Sequence, residues 1–374
     1  MADTIMNDTI NLKTLFRESV IVLGLICLCS AVAYVWSYYE AEKQARRDLS
    51  LNFELKKTTL EDEITSSLSD LEALVDMATM RTAASNLDAA WQALGNTPDA
   101  VIQQWYGNGD VPGTRALSIR PPADYFQLVD EQESWVVEFM RLFDLHDILL
   151  INNEGDVIYS YLRGPDYTTN LRSGPYSETN LSNIFLRALR NRGRAVLSEM
   201  EFYGRDGTMP TFFSAASLTD AVGHPFAVLA LQYKPTLLNN IMQRTESMGY
   251  TGDIFVIDIT QKMLSQSRLI SELTALRVLV DSTAAEQASY GFSGMQRSID
   301  HRGVRTLSAY APVNISGPAW GLVGQMDLWE IAANAVQPTV LLNGITGGMS
   351  SWLFLLFARF ILTSRRQSSD VSSS

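Results

Sequence analysis

Charged residues are missing from a long apolar run near the start of the chain. Residues 19–39 carry no charge. A helix of that length, at about 1.5 Å per residue, reaches roughly 31 Å and can cross a bilayer core. Its end is aromatic, as membrane interfaces often are, with Trp36, Tyr38 and Tyr39. A cleaved signal peptide is the alternative, but the run exceeds the usual apolar core of such peptides and shows no small-residue cleavage site. We predict an uncleaved transmembrane helix over residues 19–39.

A second apolar run near the other end predicts a second transmembrane helix, over residues 338–362. Gly344 and Gly348 in this run have the GxxxG spacing that favours close helix contact, which is a weak signal taken alone. Residues 331–358 carry no charge, and Arg359, Arg365 and Arg366 follow this uncharged stretch. Because cytoplasmic flanks are enriched in basic residues, residues 1–18 and the tail 363–374 are expected in the cytoplasm. The expected localisation is a two-pass protein of the inner membrane with a periplasmic, extracytoplasmic sensor domain.

Between the two runs, the first periodic segment is helical. From residue 40 to about residue 94, apolar side chains recur every three or four positions, which predicts a long helix. The stripe consists of Leu49, Phe53, Leu60, Ile64, Leu68, Leu71, Val75 and Ala78. It can pack within its own domain or against a second copy of the chain, and both alternatives stay open. A loop-rich stretch over 96–122 and a helix over 125–142 are predicted next.

A hairpin and a polar loop follow this helix. Residues 148–151 form an apolar run of strand length, 152–155 have turn composition, and 157–161 alternate as a second strand. The loop over 164–176 is rich in Asp, Thr, Asn, Gly and Tyr. A sheet with such a polar and aromatic loop over one face is typical of a small-molecule sensor.

The sequence pattern of the hairpin recurs further along the chain. Residues 253–267 repeat its pattern, and each hairpin precedes a second one, at 211–233 and 306–326. Helices are predicted over 181–194 and 237–248. The pattern indicates two copies of one αβ unit, although chance similarity of two hairpins is the alternative because few residues are identical.

Composition and net charge limit the classes of function that the chain can have. The chain has 374 residues, of which 46% are hydrophobic, and this allows two or three domains that each bury a core. The net charge of −12 argues against nucleic acid as a partner and weakly favours a cationic or neutral small-molecule ligand. Both cysteines, Cys27 and Cys29, lie in the first apolar run, and the three histidines lack metal-ligand spacing. No metal, no cofactor and no catalytic constellation is indicated, so we expect a protein that is not an enzyme.

Several motifs resemble a known family. The hairpin over 146–159 resembles "YDIFLID…GDVVY", and residues 166–176 resemble "DFxTNL…GPY". Residues 209–213 match "PAAFI", and residues 249–268 resemble "GxTGExYLVG…RSDSR". In this order the motifs are similar to the double-Cache extracytoplasmic sensor region of bacterial methyl-accepting chemotaxis proteins and related membrane cyclases and kinases.

The resemblance implies an α+β fold with two PAS-like Cache units, each an antiparallel sheet with flanking helices. A long N-terminal helix would brace them between two transmembrane helices. The expected segments are a cytoplasmic N-terminus 1–18, transmembrane helix 19–39, helical stalk 40–145, membrane-distal unit 146–236, connecting helix and membrane-proximal unit 237–336, transmembrane helix 338–362 and cytoplasmic tail 363–374.

The chain departs from the family in three respects. The aromatic-Arg-Trp-Tyr pattern of amino-acid-binding members is not visible, which puts amino acids in doubt. The second copy has Ile259-Thr260-Gln261-Lys262 in place of the usual "VGxDG" turn. Residues 358–362 look like the start of the HAMP linker, and the chain stops soon after. We therefore expect a sensor without its own output domain. The alternatives are a truncated chemotaxis receptor or sensor cyclase or kinase, and an envelope structural or scaffold protein.

The expected ligand site lies between the distal sheet and the loop 164–176. Tyrosine rings offer an apolar wall and a hydroxyl, and an aromatic lining with one carboxylate suits an amine. The candidate residues are Tyr159, Tyr161, Asp166, Tyr167, Asn170, Tyr176 and Phe213. The alternative is that the first two are ordinary strand residues and that Asp166 caps a turn. The expected partners are the lipid bilayer, a second copy in a homodimer and a separate signalling protein.

Overall fold

The computed structural model describes residues 2–95, 98–106, 124–204, 206–243, 248–336 and Gly344. Two compact units divide the chain. The first takes in residues 1–49, 249–251 and the chain from 326 onward, and the second takes in 50–248 and 252–325.

The N-terminal helical segment is two helices rather than the one predicted. Helix α1 covers Ala2–Asp76 and α2 covers Ala78–Gln92, because Met77 between them has extended backbone angles, φ −65° and ψ 129°. Apolar side chains of the predicted stripe are buried, including Leu60 and Ile64. The stripe therefore serves the packing of the chain on itself.

The stretch predicted as loop contains a further helix, α3, over Pro98–Tyr106, while α4 covers Asp124–Leu142. The sequence signal for a loop came from prolines and glycines. Pro98 is, however, the first residue of α3, where its missing N–H costs nothing. Most of the rest of that stretch lies outside the described residues.

The first sheet has six antiparallel strands. They are β1 Leu145–Asn152, β2 Val157–Ser160, β3 Val196–Leu197, β4 Glu201–Tyr203, β5 Met209–Thr219 and β6 Pro225–Tyr233, with helix α5 Asn180–Asn191 between β2 and β3. The strand order is β2-β1-β6-β5-β3, and β4 pairs with β5. The predicted hairpins are both present.

The second sheet has four strands and is separate from the first. Its elements are α6 Thr236–Gln243, β7 Asp253–Ile257, α7 Thr283–Ser289, β8 Gly294–Ile299, β9 Arg305–Val313 and β10 Trp320–Asp327. The order β7-β10-β9-β8 repeats the order of β1, β6, β5 and β3 in the first sheet. The strand predicted after β7 is reduced to one bridge, between Ile257 and Met263.

In the first unit, one buried carboxylate accepts hydrogen bonds from a turn. Glu330 accepts hydrogen bonds from the backbone N–H groups of Tyr250 and Thr251, each at 2.8 Å. Gly249 has φ +65°, and a Cβ there would lie 2.2 Å from Oε1 of Glu330. This turn therefore requires glycine.

In the part of the chain that the structure describes, no helix is both long enough and apolar enough to cross a membrane. The span predicted over 19–39 falls within α1. The span predicted over 338–362 lies outside the described residues, apart from Gly344.

Candidate functional site

The six-stranded sheet has two different faces. Side chains alternate along a strand, and paired residues share a face. The row Asp147, Gln232 and Phe213 therefore points to the side opposite Ile148. We call the side of Ile148 and Leu150 the helix face, because α2 and α4 cover it. We call the side of Asp147 and Phe213 the loop face.

Asp147 is a buried carboxyl group on the loop face. Its Oδ2 accepts a hydrogen bond from Ser160 Oγ at 2.6 Å, and its Oδ1 accepts from the backbone N–H groups of Ile148 and Leu162 at 2.8 and 3.0 Å. Burial raises the pKa of Asp147 to about 7, and the nearby Asp166 adds to the shift. The hydrogen bonds oppose it but do not cancel it, so the carboxyl holds a proton for part of the time near neutral pH.

Asp166 comes from the loop and is also buried, with 3% of its surface exposed. Tyr203 of β4 donates its phenolic hydrogen to Oδ2 at 2.8 Å. Burial raises the pKa of Asp166, which the hydrogen bond from Tyr203 only partly offsets. The same carboxylate and burial raise the pKa of the Tyr203 phenol, so this proton stays on the tyrosine.

Aromatic rings surround this carboxylate. Tyr203 meets Phe213 edge to face, with ring centroids 5.0 Å apart at 81°, and meets Tyr176 at 5.6 Å. Aromatic faces next to a carboxylate provide the two attractions that a positively charged amine uses, charge pairing and cation–π contact.

The loop is fastened to the hairpin by its backbone. Thr169 accepts from Val157 N at 2.9 Å, and Leu171 N donates to Gly155 O at 2.7 Å. Asn170 Nδ2 donates to Asp156 Oδ1 at 2.8 Å. Asp166 is thus carried by a segment that continues the sheet beyond β2.

The structure brings three of the seven predicted site residues together, namely Asp166, Tyr176 and Phe213, all next to Tyr203. Tyr167 turns toward α4, where its hydroxyl lies 2.6 Å from that of Tyr125. Asn170 serves the attachment of the loop to the hairpin.

The other two candidates lie elsewhere. Tyr159 pairs with Leu150 and therefore belongs to the helix face. Tyr161 lies beyond the end of β2 and is half-buried.

Sequence reasoning missed Asp147 and Tyr203. The signal for Asp147 was present, because an aspartate precedes the apolar run in both repeats. Tyr203 stands alone in a short strand, and no periodic pattern marks it.

One face of the second sheet packs against α7. The side chains of Phe255, Ile257, Met263, Val280 and Val323 form a closed cluster with three alanines of α7. Within the described ranges, no group of three or more His, Cys, Asp or Glu side chains is arranged to hold a metal ion.

Solved structures that resemble this chain are sensory domains of chemoreceptors. One is the ligand-binding domain of the Campylobacter jejuni chemoreceptor Tlp3 in complex with 4-methylisoleucine, with 11% identity, TM-score 0.48, and coverage of 78% of this chain and 93% of that chain. Another is the ligand-binding domain of the Pseudomonas aeruginosa PAO1 amino acid chemoreceptor PctC with GABA, with 17% identity, TM-score 0.38, and coverage of 66% and 95%. The corresponding domain of PctB with L-Arg has 16% identity, TM-score 0.36, and coverage of 54% and 85%.

These domains are of the class that the sequence motifs resemble. The ligands named are those of the other proteins. No protein-family model matches the chain, and no curated protein matches it.

Proposed function

We propose that this protein is a membrane-anchored extracytoplasmic sensor that binds a small, positively charged amine on the loop face of its first sheet. The observation that carries the proposal is the pair of buried carboxyl groups, Asp147 and Asp166. Neither has an ion-pair partner among the described residues. Burial raises the pKa of both, and Asp166 adds to the shift of Asp147.

A buried carboxylate without a cation is costly, and proteins relieve that cost by protonation or by a partner of opposite charge. An ammonium group beside Asp166 would supply the missing partner. The rings of Tyr176, Tyr203 and Phe213 would then surround the carbon atoms next to the nitrogen. A ligand carboxylate placed beside Asp166 instead would oppose the ionisation of both groups and would be disfavoured.

Binding at this place would require the loop 164–176 to open and close again. The loop continues directly into α5, whose N-cap Thr179 accepts a hydrogen bond from Ser182 N. A change of loop position would therefore be passed to α5 and to β5, on which it packs. A ligand can shift this equilibrium only as far as it binds the closed state more tightly.

The membrane anchor belongs to the same proposal. The apolar runs 19–39 and 338–362 would hold the sensor at the membrane, with residues 40–336 outside. A homodimer or a separate signalling protein would receive the change. The domain limits given above are part of this proposal. An envelope scaffold is the second candidate, and it would need no ligand.

Melting of the full chain in detergent separates the two candidates. Putrescine, choline and 4-aminobutanoate are compared with succinate, each at concentrations that saturate a micromolar site. A ligand that binds only the folded state raises the melting temperature. A rise with an amine supports the sensor, whereas no response to any of the four compounds favours a scaffold. A rise with succinate alone would discard the cationic ligand.

A further inference from the structure

The opposite, helix face of the same sheet contains an apolar space. A cavity of about 40 Å³ opens there between α2, α4 and the strands β1, β2 and β6. Its wall is almost entirely apolar and includes Met80, Leu87, Trp135 and Ile148. One water occupies about 10–15 Å³ on this measure, so the space would hold a short alkyl group better than a single water.

The cavity continues outward into a groove. The groove has about 260 Å³ and is lined by Leu74, Met77 and Thr79 together with residues that it shares with the cavity. The shared residues are Met80, Ala83, Gln132 and Trp135. The groove lies where α1 ends and α2 begins, and Met77 at that break is 52% exposed. The cavity is therefore accessible from solvent along an apolar path.

Two polar groups border this apolar space. Tyr159 is buried, and its phenolic oxygen makes no hydrogen bond to any residue the structure describes. Gln132 accepts a hydrogen bond from Trp135 Nε1 at 2.6 Å through its Oε1, which holds the indole ring at the wall. A hydroxyl at the border of an apolar space can donate its hydrogen to an acceptor of a bound ligand.

We infer that the helix face holds a second small-molecule site, for an uncharged, mainly aliphatic molecule with one hydrogen-bond acceptor. The alkyl part would enter the cavity, and the acceptor would receive the Tyr159 hydroxyl. Charged molecules are disfavoured, because no side chain of opposite charge lines either space. The inference does not depend on the proposed amine site, which lies on the other face.

The test uses the full chain and 2-pentanone, with pentanoate as the charged comparator. Binding is followed by saturation-transfer NMR and by titration calorimetry. Ala83→Leu fills the space shared by cavity and groove, and Ala89→Leu makes the same change at an exposed position of the same helix. We expect saturable binding of 2-pentanone by wild type and Ala89→Leu, and a loss of about tenfold or more in affinity for Ala83→Leu.

Tyr159→Phe removes only the hydroxyl and serves where Ala83→Leu fails to fold. Loss of one hydrogen bond should weaken 2-pentanone binding by roughly three- to tenfold. Tyr161→Phe, two residues further along the chain, should leave the affinity unchanged. The inference is overturned if wild type shows no saturable binding, or if Tyr159→Phe and Ala83→Leu both bind as wild type does. It is also overturned if 2-pentanone has no effect while Ala83→Leu dissociates a dimer in sedimentation, since the groove is then an interface between copies.

Discussion

Asp147 and Asp253 make the same hydrogen bonds in the two repeats. Asp147 accepts from Ser160 Oγ, 13 residues further on, and Asp253 accepts from Ser267 Oγ, 14 residues further on. Each also accepts a backbone N–H just after that serine. The aspartate thus ties the start of the first strand to the segment that follows the hairpin.

The two repeats differ in the charges near this aspartate. Burial raises the pKa of Asp253, and the nearby Arg268 and Arg302 partly oppose this shift. The charge near Asp147 is instead another carboxyl group, Asp166. The two repeats therefore share the hydrogen-bonded aspartate but differ in the sign of the charges beside it.

Asp147 should make the stability of the protein depend on pH. Its pKa rises from 3.8 to about 7 on folding. Folding therefore favours the protonated form. Protonated Asp147 therefore contributes its full stabilisation below the pKa of the unfolded state, and this stabilisation is lost as the pH rises to about 7. Between about pH 5 and about pH 8, the unfolding free energy of wild type should fall by on the order of a few kcal/mol because of Asp147. Asp147→Asn should not show this part of the fall.

Chemical denaturation at the two pH values measures this difference. Asp206→Asn makes the same charge change at an exposed position and should lose stability as wild type does. Other buried acids keep part of the pH dependence in every variant. An Asp147→Asn curve parallel to that of wild type would show that this carboxyl is not the source.

The Tyr203 hydroxyl should stabilise the loop through Asp166. Tyr203→Phe removes the 2.8 Å hydrogen bond and leaves a buried carboxyl with one partner fewer. A loss of about 1–3 kcal/mol in unfolding free energy is expected. Tyr290→Phe, at a residue that is 67% exposed, is the matched control and should cost almost nothing. Equal denaturation midpoints for the two variants would contradict the role of this bond.

Asn170 should stabilise the loop rather than bind a ligand. Its amide donates to Asp156 Oδ1 and to the Glu154 carbonyl, and its Oδ1 accepts from Arg172 N. Asn170→Ala should lower the unfolding free energy by about 1–3 kcal/mol and speed hydrogen exchange in the loop 164–176. Asn153→Ala, an exposed neighbour in the hairpin turn, should do neither. If Asn170→Ala is as stable as wild type but binds ligand less tightly, Asn170 belongs to the ligand site.

The sequence predicted those elements whose structure depends on a short-range pattern of residues. An apolar run located β1, alternation located β2, and the second hairpin located β5 and β6. The repeat of Asp147 as Asp253 predicted two copies of one unit. The break at Met77 was not predictable, because neither glycine nor proline marks it. Tyr159 was assigned to the wrong face of the sheet, since a strand of four residues shows its alternation but not which side the ligand takes. Tyr203 meets Asp166 across 37 residues, and such a contact depends on the path of the whole loop.

The affinity of one amine for three forms of the full chain tests the central claim most directly. Titration calorimetry would compare wild type, Asp166→Asn and Asp206→Asn with the amine that raises the melting temperature most. Removal of a buried charge that pairs with the ligand should weaken binding by roughly 30-fold or more, and the exposed Asp206 should change it less than about twofold. Equal affinities for wild type and Asp166→Asn, in a variant that melts as a folded protein, would contradict a cation site on the loop face.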